Sequence, residues 1–212
     1  MAHLKKTRMN RFAVIIIFGF LLLSCSIVGN KTDKKTIMDS LPNFKYNPNA
    51  LTLGIIKKEK THCPVCDKDR DYVYQGPFFT EADVVGICPW CIKDGSAAKK
   101  YNGEFQDAAS CETVDDNEKL RELTERTPGY SGWQQEKWLS HCGDFCSFQG
   151  YVGWLEIKDK QKDLQDDIEN VKSDFGLSQQ ELENYLVNNG SMQGYLFKCL
   201  HCGQYRLTVD CD

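Results

Sequence analysis

Eight of the 11 cysteines in this 212-residue chain fall into four close pairs: Cys63-Pro64-Val65-Cys66, Cys88-Pro89-Trp90-Cys91, Cys142 with Cys146, and Cys199-Leu200-His201-Cys202. Two thiols brought together by a turn can do two kinds of chemistry. As thiolates they bind a soft or borderline metal ion, and as a dithiol they exchange electrons with another disulfide. Disulfide frameworks are usually spaced differently, because close neighbours bridge poorly to distant partners.

The first two pairs follow the spacing C-x2-C-x21-C-x2-C, which is that of a zinc ribbon. Four thiolates complete a tetrahedron around Zn²⁺ and leave no open position, so Cys63, Cys66, Cys88 and Cys91 predict a site that holds structure. A second zinc needs Cys142, Cys146, Cys199 and Cys202, whose halves are separated by 52 residues. It forms only if those halves meet. His62, His141 and His201 each adjoin one of these cysteines. Neighbours in an extended chain point to opposite faces, so the histidines are expected beside the ligands and not among them. Cys111 and Cys211 have no partner close in sequence and are expected as buried thiols.

The competing chemistry is thiol–disulfide exchange at Cys88 and Cys91. The apolar run Val84-Val85-Gly86-Ile87 leads into that pair as a strand does in thioredoxin-like enzymes. Against this, Asp94-Gly95-Ser96 interrupts the helix whose N-terminus would lower the Cys88 pKa. The Cys63/Cys66 pair would also have no role in such an enzyme. Metal binding is the preferred reading, and no catalytic residue is assigned. Glu136 and Asp144 are polar residues within an aromatic-rich stretch, 130–154, but aromatics this dense more often form core. Phosphate-loop, hydrolase-elbow and HExxH motifs are missing from the sequence.

These pairs must be positioned by short elements. Alternation in residues 71–75 (DYVYQ) predicts a strand with Tyr72 and Tyr74 on one face, paired with a second strand over 84–87. A short helix is expected around Lys119–Leu123, ended by Pro128-Gly129, and a further helix capped by Ser131 would carry Trp133 and Trp138. Residues 157–173 are helical in pattern, and Ser178 with Glu181 forms a capping box for the next helix. The C-terminus reads as strand, Cys pair, strand. The fold class expected is α+β: a small zinc-ribbon-containing domain with short β-hairpins and helices mainly in its C-terminal half. Residues 41–104 would form the ribbon half and 105–212 the second Cys-pair half.

The N-terminus is different in kind. Lys5, Lys6, Arg8 and Arg11 precede 12 apolar or Gly residues, then Ser24-Cys25. This predicts a lipoprotein-type signal peptide over 1–24, lipidation at Cys25, and a polar tether over 25–40. The expected location is then the bacterial cell envelope, on a lipid anchor. A start misassigned upstream of Met38 would leave the protein cytoplasmic. Beyond residue 24 the chain carries 22 cations against 30 acids, a charge of −8. So acidic a surface argues against nucleic acid and leaves an unidentified protein as the expected partner.

Several stretches together resemble the CbrC family, bacterial proteins associated by name with colicin tolerance. They are LPNFKYNPNA (41–50), YQGPFF (74–79), GICPWCIKDGSAA (86–98), RTPGYSGWQQEKW (126–138), HCGDFCSFQGYVGW (141–154) and FKCLHCGQYRL (197–207). The resemblance implies no catalytic mechanism and carries over no active site. It implies a non-enzymatic protein that modulates colicin or envelope-stress tolerance, here with a leader the family does not usually carry.

Overall fold

The computed structural model describes residues 40–212, and Ser40–Asp212 cluster as one unit. The lipoprotein leader, Cys25 and the tether up to residue 39 lie outside the described residues. In the first half, β1 (Ile56–Lys57), β2 (Thr61–Cys63), β3 (Lys68–Arg70) and β4 (Val73–Tyr74) form two tiny antiparallel sheets, β1 with β4 and β2 with β3. The β2–β3 hairpin carries Cys63 and Cys66 in its turn. The expected strand over 84–87 is not one: Gly86 takes φ +83°, which breaks the extended run. Ile87 still accepts a hydrogen bond from the Tyr74 N–H (2.9 Å), but the ladder partner of β4 is β1.

Cys88 then caps α1 (Pro89–Lys93), with Pro89 at the first helical position, where its missing N–H costs nothing. The chain breaks at Gly95, φ +75°, and restarts as α2 (Ser96–Tyr101). Helix α3 (Asn117–Arg126) is capped by the Asp116 carboxylate, which accepts from the Glu118 and Lys119 N–H groups. The helix expected after Ser131 is absent. Pro128, Gly129 and Gly132 favour an irregular loop there, closed when the Tyr130 hydroxyl donates to the Lys137 carbonyl (2.8 Å) and accepts from its N–H (3.1 Å).

The second half is built on β5 (Ser140–His141), β6 (Asp144–Phe145), β7 (Ser147–Val152), α4 (Trp154–Ile157), α5 (Gln165–Phe175), α6 (Gln179–Tyr185), β8 (Met192–Lys198) and β9 (Tyr205–Cys211). Strands β7, β8 and β9 form an antiparallel sheet with β8 in the middle. Alternation along β8 sends Tyr195 and Phe197 to one face and Met192 and Leu196 to the other. The first face packs on an aromatic core in which Tyr130 stacks on Phe148 (4.5 Å between centroids) and Trp138 meets Phe197 edge-on. The opposite face is covered by Ile157, Ile168, Val171 and Leu182 of α4, α5 and α6. Ser178 forms the expected capping box with Glu181, although α6 ends at Tyr185. The result is an α+β fold of small antiparallel sheets. Its main core runs through residues of both halves, from Phe44 to Cys199.

A half-buried cation, Arg206, ties the layers together. The Arg206 guanidinium donates to Asp167 on α5 (2.9 Å), to Glu112 (3.2 Å) and to the Ser140 carbonyl on β5 (2.6 Å). Burial opposes its charge, but Asp167 and Glu112 outweigh that and raise its pKa further. Arg206→Met would leave Asp167, itself buried, without its cation. Breaking such a pair from one side should cost about 3 kcal/mol, measured as a lowered denaturant midpoint at unchanged m-value.

Candidate metal centres

Two groups of four side chains each bring their ligand atoms within 4.8 Å of one another: Cys63, Cys66, Cys88 and Cys91, and His141, Cys142, Cys199 and Cys202. In the first, Sγ–Sγ separations are 3.9 Å for Cys63–Cys91, 4.0 Å for Cys66–Cys88 and 3.5 Å for Cys88–Cys91. Zn–S bonds of about 2.3 Å in a tetrahedron put sulfurs about 3.8 Å apart, so the quartet has the size of a zinc site.

The backbone explains why the thiols converge. Residue 67 accepts the left-handed conformation (φ +55°), and its N–H donates back to the Cys63 carbonyl (2.9 Å), curling the chain so that Cys63 and Cys66 face one point. The same device recurs in the second group. Gly203 (φ +77°) donates to the Cys199 carbonyl (3.1 Å), turning Cys199 and Cys202 inward. Amide donors also prepare the sulfurs for negative charge, Cys88 N–H reaching Cys63 Sγ and His201 N–H reaching Cys199 Sγ, both at 3.4 Å. The Cys63 thiol is lowered to about 4, first by its hydrogen bond with Cys88 and then by backbone amides that outweigh burial. Cys88 moves the opposite way, because it is the donor in that bond and is buried. Burial works against the Cys199 thiolate too, but the N–H groups of Cys202 and His201 bring it down to about 6.

Charge compensation is on hand. Zn²⁺ with four thiolates carries −2, and Arg70 lies beside Cys66, whose thiolate raises the guanidinium pKa. Arg70 also sits over the Trp90 ring at 4.8 Å.

The second quartet differs from the sequence expectation in one ligand. Cys146 is not in it and His141 is. Strands β5 and β6 pair His141 with Asp144, so Cys142 and Gly143 are the two central residues of a tight hairpin, at φ +54° and +68°. Positive φ at both is the type I′ turn. Cys142 has thus left the extended chain, alternation no longer applies, and neighbours 141 and 142 reach one point. His141 Nδ1 lies 3.2 Å from Cys142 Sγ and 3.3 Å from Cys202 Sγ. Cys146 sits beyond the turn with its N–H bonded to the Leu139 carbonyl (2.9 Å) and its carbonyl taken by Trp138 Nε1 (2.9 Å). It is fully buried, and burial pushes its thiol up to about 12, so it stays protonated. Left-handed backbone at a non-Gly residue costs on the order of 1–3 kcal/mol and is tolerated where a site needs it. Cys-Gly between two short strands was the signal for this turn.

The other histidines are held elsewhere. His62 faces Asp69 (3.0 Å) and Asp67 (2.9 Å) in solvent. His201 Nε2 meets Asp144 Oδ2 at 3.1 Å. Asp144 is buried and also accepts from Tyr46 (2.8 Å) and Lys45 (3.0 Å). Burial raises its pKa, but these three partners outweigh that and hold the carboxyl below its usual range. Asp144 is therefore a clasp between the hairpin bearing His141 and the knuckle bearing Cys202. Glu136 accepts from the Gly132 N–H (3.1 Å) and shapes the Tyr130 loop. Cys111 and Cys211 are half-buried, not buried as expected, and lie in neither quartet.

A family model described as "Uncharacterised protein family (UPF0167)" matches residues 41–211. The chain belongs to the UPF0167 family. UPF0167 proteins of Mycobacterium bovis and Mycobacterium tuberculosis are each 38% identical over 175 residues, covering 80% of this chain and 93% of theirs. One from Pseudomonas aeruginosa is 37% identical over 181 residues, covering 80% of this chain and 97% of its own. No solved structure matches. These matches correct the CbrC resemblance: the stretches that suggested it are UPF0167 sequence. The lipoprotein-like leader attached to that resemblance finds no support in a UPF0167 match that starts at residue 41. Among the described residues no helix is long and apolar enough to cross a membrane.

Proposed function

We propose that this UPF0167 chain is a non-enzymatic, zinc-stabilised protein whose two metal knots hold a surface that binds another protein. The observation that carries the reading is the pair of quartets, each bringing four protein ligand atoms within 4.8 Å of one another. Four protein ligands leave no position for substrate or water, so bound zinc would act as a cross-link carrying two positive charges. All-thiolate and His-Cys₃ sets both suit zinc. With chemistry at the metal closed off, function falls to the surface. Trp133 and Val187, each half-exposed, meet around Gly190, whose carbonyl accepts from Trp133 Nε1 (3.1 Å) and whose N–H donates to the Val187 carbonyl (2.8 Å). Exposed apolar groups of this kind favour a protein partner.

Thiol–disulfide exchange at Cys88 and Cys91 has less behind it. An exchange nucleophile needs access and a stabilised thiolate. Cys88 is fully buried, and its thiol is pushed up by its bond with Cys63 and by burial.

X-ray absorption at the zinc edge of the purified full chain tests the proposal. Seven sulfur and one nitrogen ligands, spread over two ions, are expected with no oxygen. An oxygen ligand at either ion would mean an open, catalytic-type site and would overturn the non-enzymatic reading.

A further inference from the structure

The two quartets are built from similar knuckles but meet solvent differently. Cys63 and Cys88 have no exposed surface, Cys91 has 2% and Cys66 is half-buried, so no two ligands of the first quartet are exposed. In the second quartet Cys142 and Cys202 are both exposed, while Cys199 is buried at 3%. The exposed pair lies on two loop tips, the β5–β6 turn and the knuckle between β8 and β9, with sulfurs within 4.8 Å of each other. A disulfide needs those sulfurs about 2.05 Å apart, a shift that two surface turns can make and a buried core cannot.

We infer that the second quartet is an oxidant-reactive site: hydrogen peroxide or an organic hydroperoxide converts Cys142 and Cys202 to a disulfide and releases that zinc, while the first quartet keeps its own. The inference rests on the zinc reading above. One solvent-facing thiolate attacks the peroxide oxygen; an S–O bond forms, the O–O bond breaks, and hydroxide (or alkoxide) leaves and is protonated. The second thiolate then attacks the sulfenic sulfur. The S–S bond forms, the S–O bond breaks, and the oxygen leaves as hydroxide that takes a proton from solvent. Two thiolates are oxidised by two electrons and one peroxide is reduced by two, so with two solvent protons the sum is a disulfide plus two waters, or a water and an alcohol. Left with His141 and Cys199 alone, the ion has lost two of four ligands and dissociates.

The fold predicts what survives. The three-stranded sheet and both of its covered faces do not depend on Cys142 or Cys202, and Asp144 still joins His201 across the gap. Release is therefore local: the β5–β6 turn and the β8–β9 knuckle exchange a metal cross-link for a shorter covalent one, which draws the two loop tips together. The device would switch the shape of that end of the molecule in response to peroxide.

The test uses the full chain as purified, with hydrogen peroxide as oxidant and a chromogenic zinc chelator as reporter. One of two zinc equivalents should be released in a fast phase, with a Cys142–Cys202 cross-link in the peptide map and unchanged far-UV circular dichroism. Reducing agent plus zinc should restore both equivalents. Cys111→Ser should change neither the fast phase nor the cross-link, whereas Cys142→Ser should carry one zinc from the start and form no cross-link. Loss of both ions together, loss of neither, or a first disulfide among Cys63, Cys66, Cys88 and Cys91 would overturn the inference while leaving the zinc reading intact. A chain that carries no zinc at all would overturn both.

Discussion

Cys63→Ser is expected to abolish cooperative folding of the domain, and prolonged chelation of the wild-type chain should do the same. Structural zinc sites contribute roughly 10–16 kcal/mol of apparent binding free energy, which in such proteins is folding free energy. A domain of ordinary size is stable by only about 5–15 kcal/mol in total. The first quartet lies inside the main core, where Cys63, Cys88 and Cys91 pack with Phe44, Ile87 and Ile92. Its surroundings are two-residue and three-residue strands and a five-residue helix, none of which has the length to stand alone. Loss of one sulfur also leaves the other three ligands without the ion that would cross-link them. The expected readouts are a featureless near-UV circular dichroism spectrum and collapsed amide dispersion by NMR. A Cys63→Ser protein with native dispersion would show that the first knot is dispensable.

The second large effect separates His141 from Cys146. His141→Ala should lower the zinc content from two ions per chain to one, because three thiols at the β5–β6 and β8–β9 turns no longer close the tetrahedron. Cys146→Ala should keep both ions. Its cost is that of removing one small buried group, about 1 kcal/mol or somewhat more, or a Tm shift of about 2–4 °C for a domain of this size. The reverse pattern, with zinc lost from Cys146→Ala and kept in His141→Ala, would mean that the spacing of the cysteines, not the turn geometry, chose the ligands.

That contrast also marks how far the sequence could be read. The first quartet was legible because a C-x2-C pair is a local device: a left-handed residue after Cys66 closes one half, and the first turn of α1 presents the other. The β8–knuckle–β9 hairpin and the Ser178 capping box were legible for the same reason. Cys146 misled because its role is decided by β6 and β7, which pull it between Leu139 and Trp138. The φ of Cys142, which admits His141, comes from a two-residue hairpin whose strands are each only two residues long. No periodicity can announce such strands. Trp133 and Trp138 carried no helix for a related reason: the burial of Trp138 in the aromatic core, and the Tyr130 clasp on Lys137, override the local pattern around Ser131. The network of Arg206, Asp167 and Glu112 joins residues up to 94 positions apart and leaves no trace in local sequence.

Native mass spectrometry of the full-length chain, purified without chelator, tests the central claim most directly. The account predicts a mass heavier than the metal-free chain by two zinc ions, with every cysteine of both quartets free of disulfide once the metal is stripped under denaturing conditions. A folded chain without metal, carrying a Cys88–Cys91 disulfide, would contradict it.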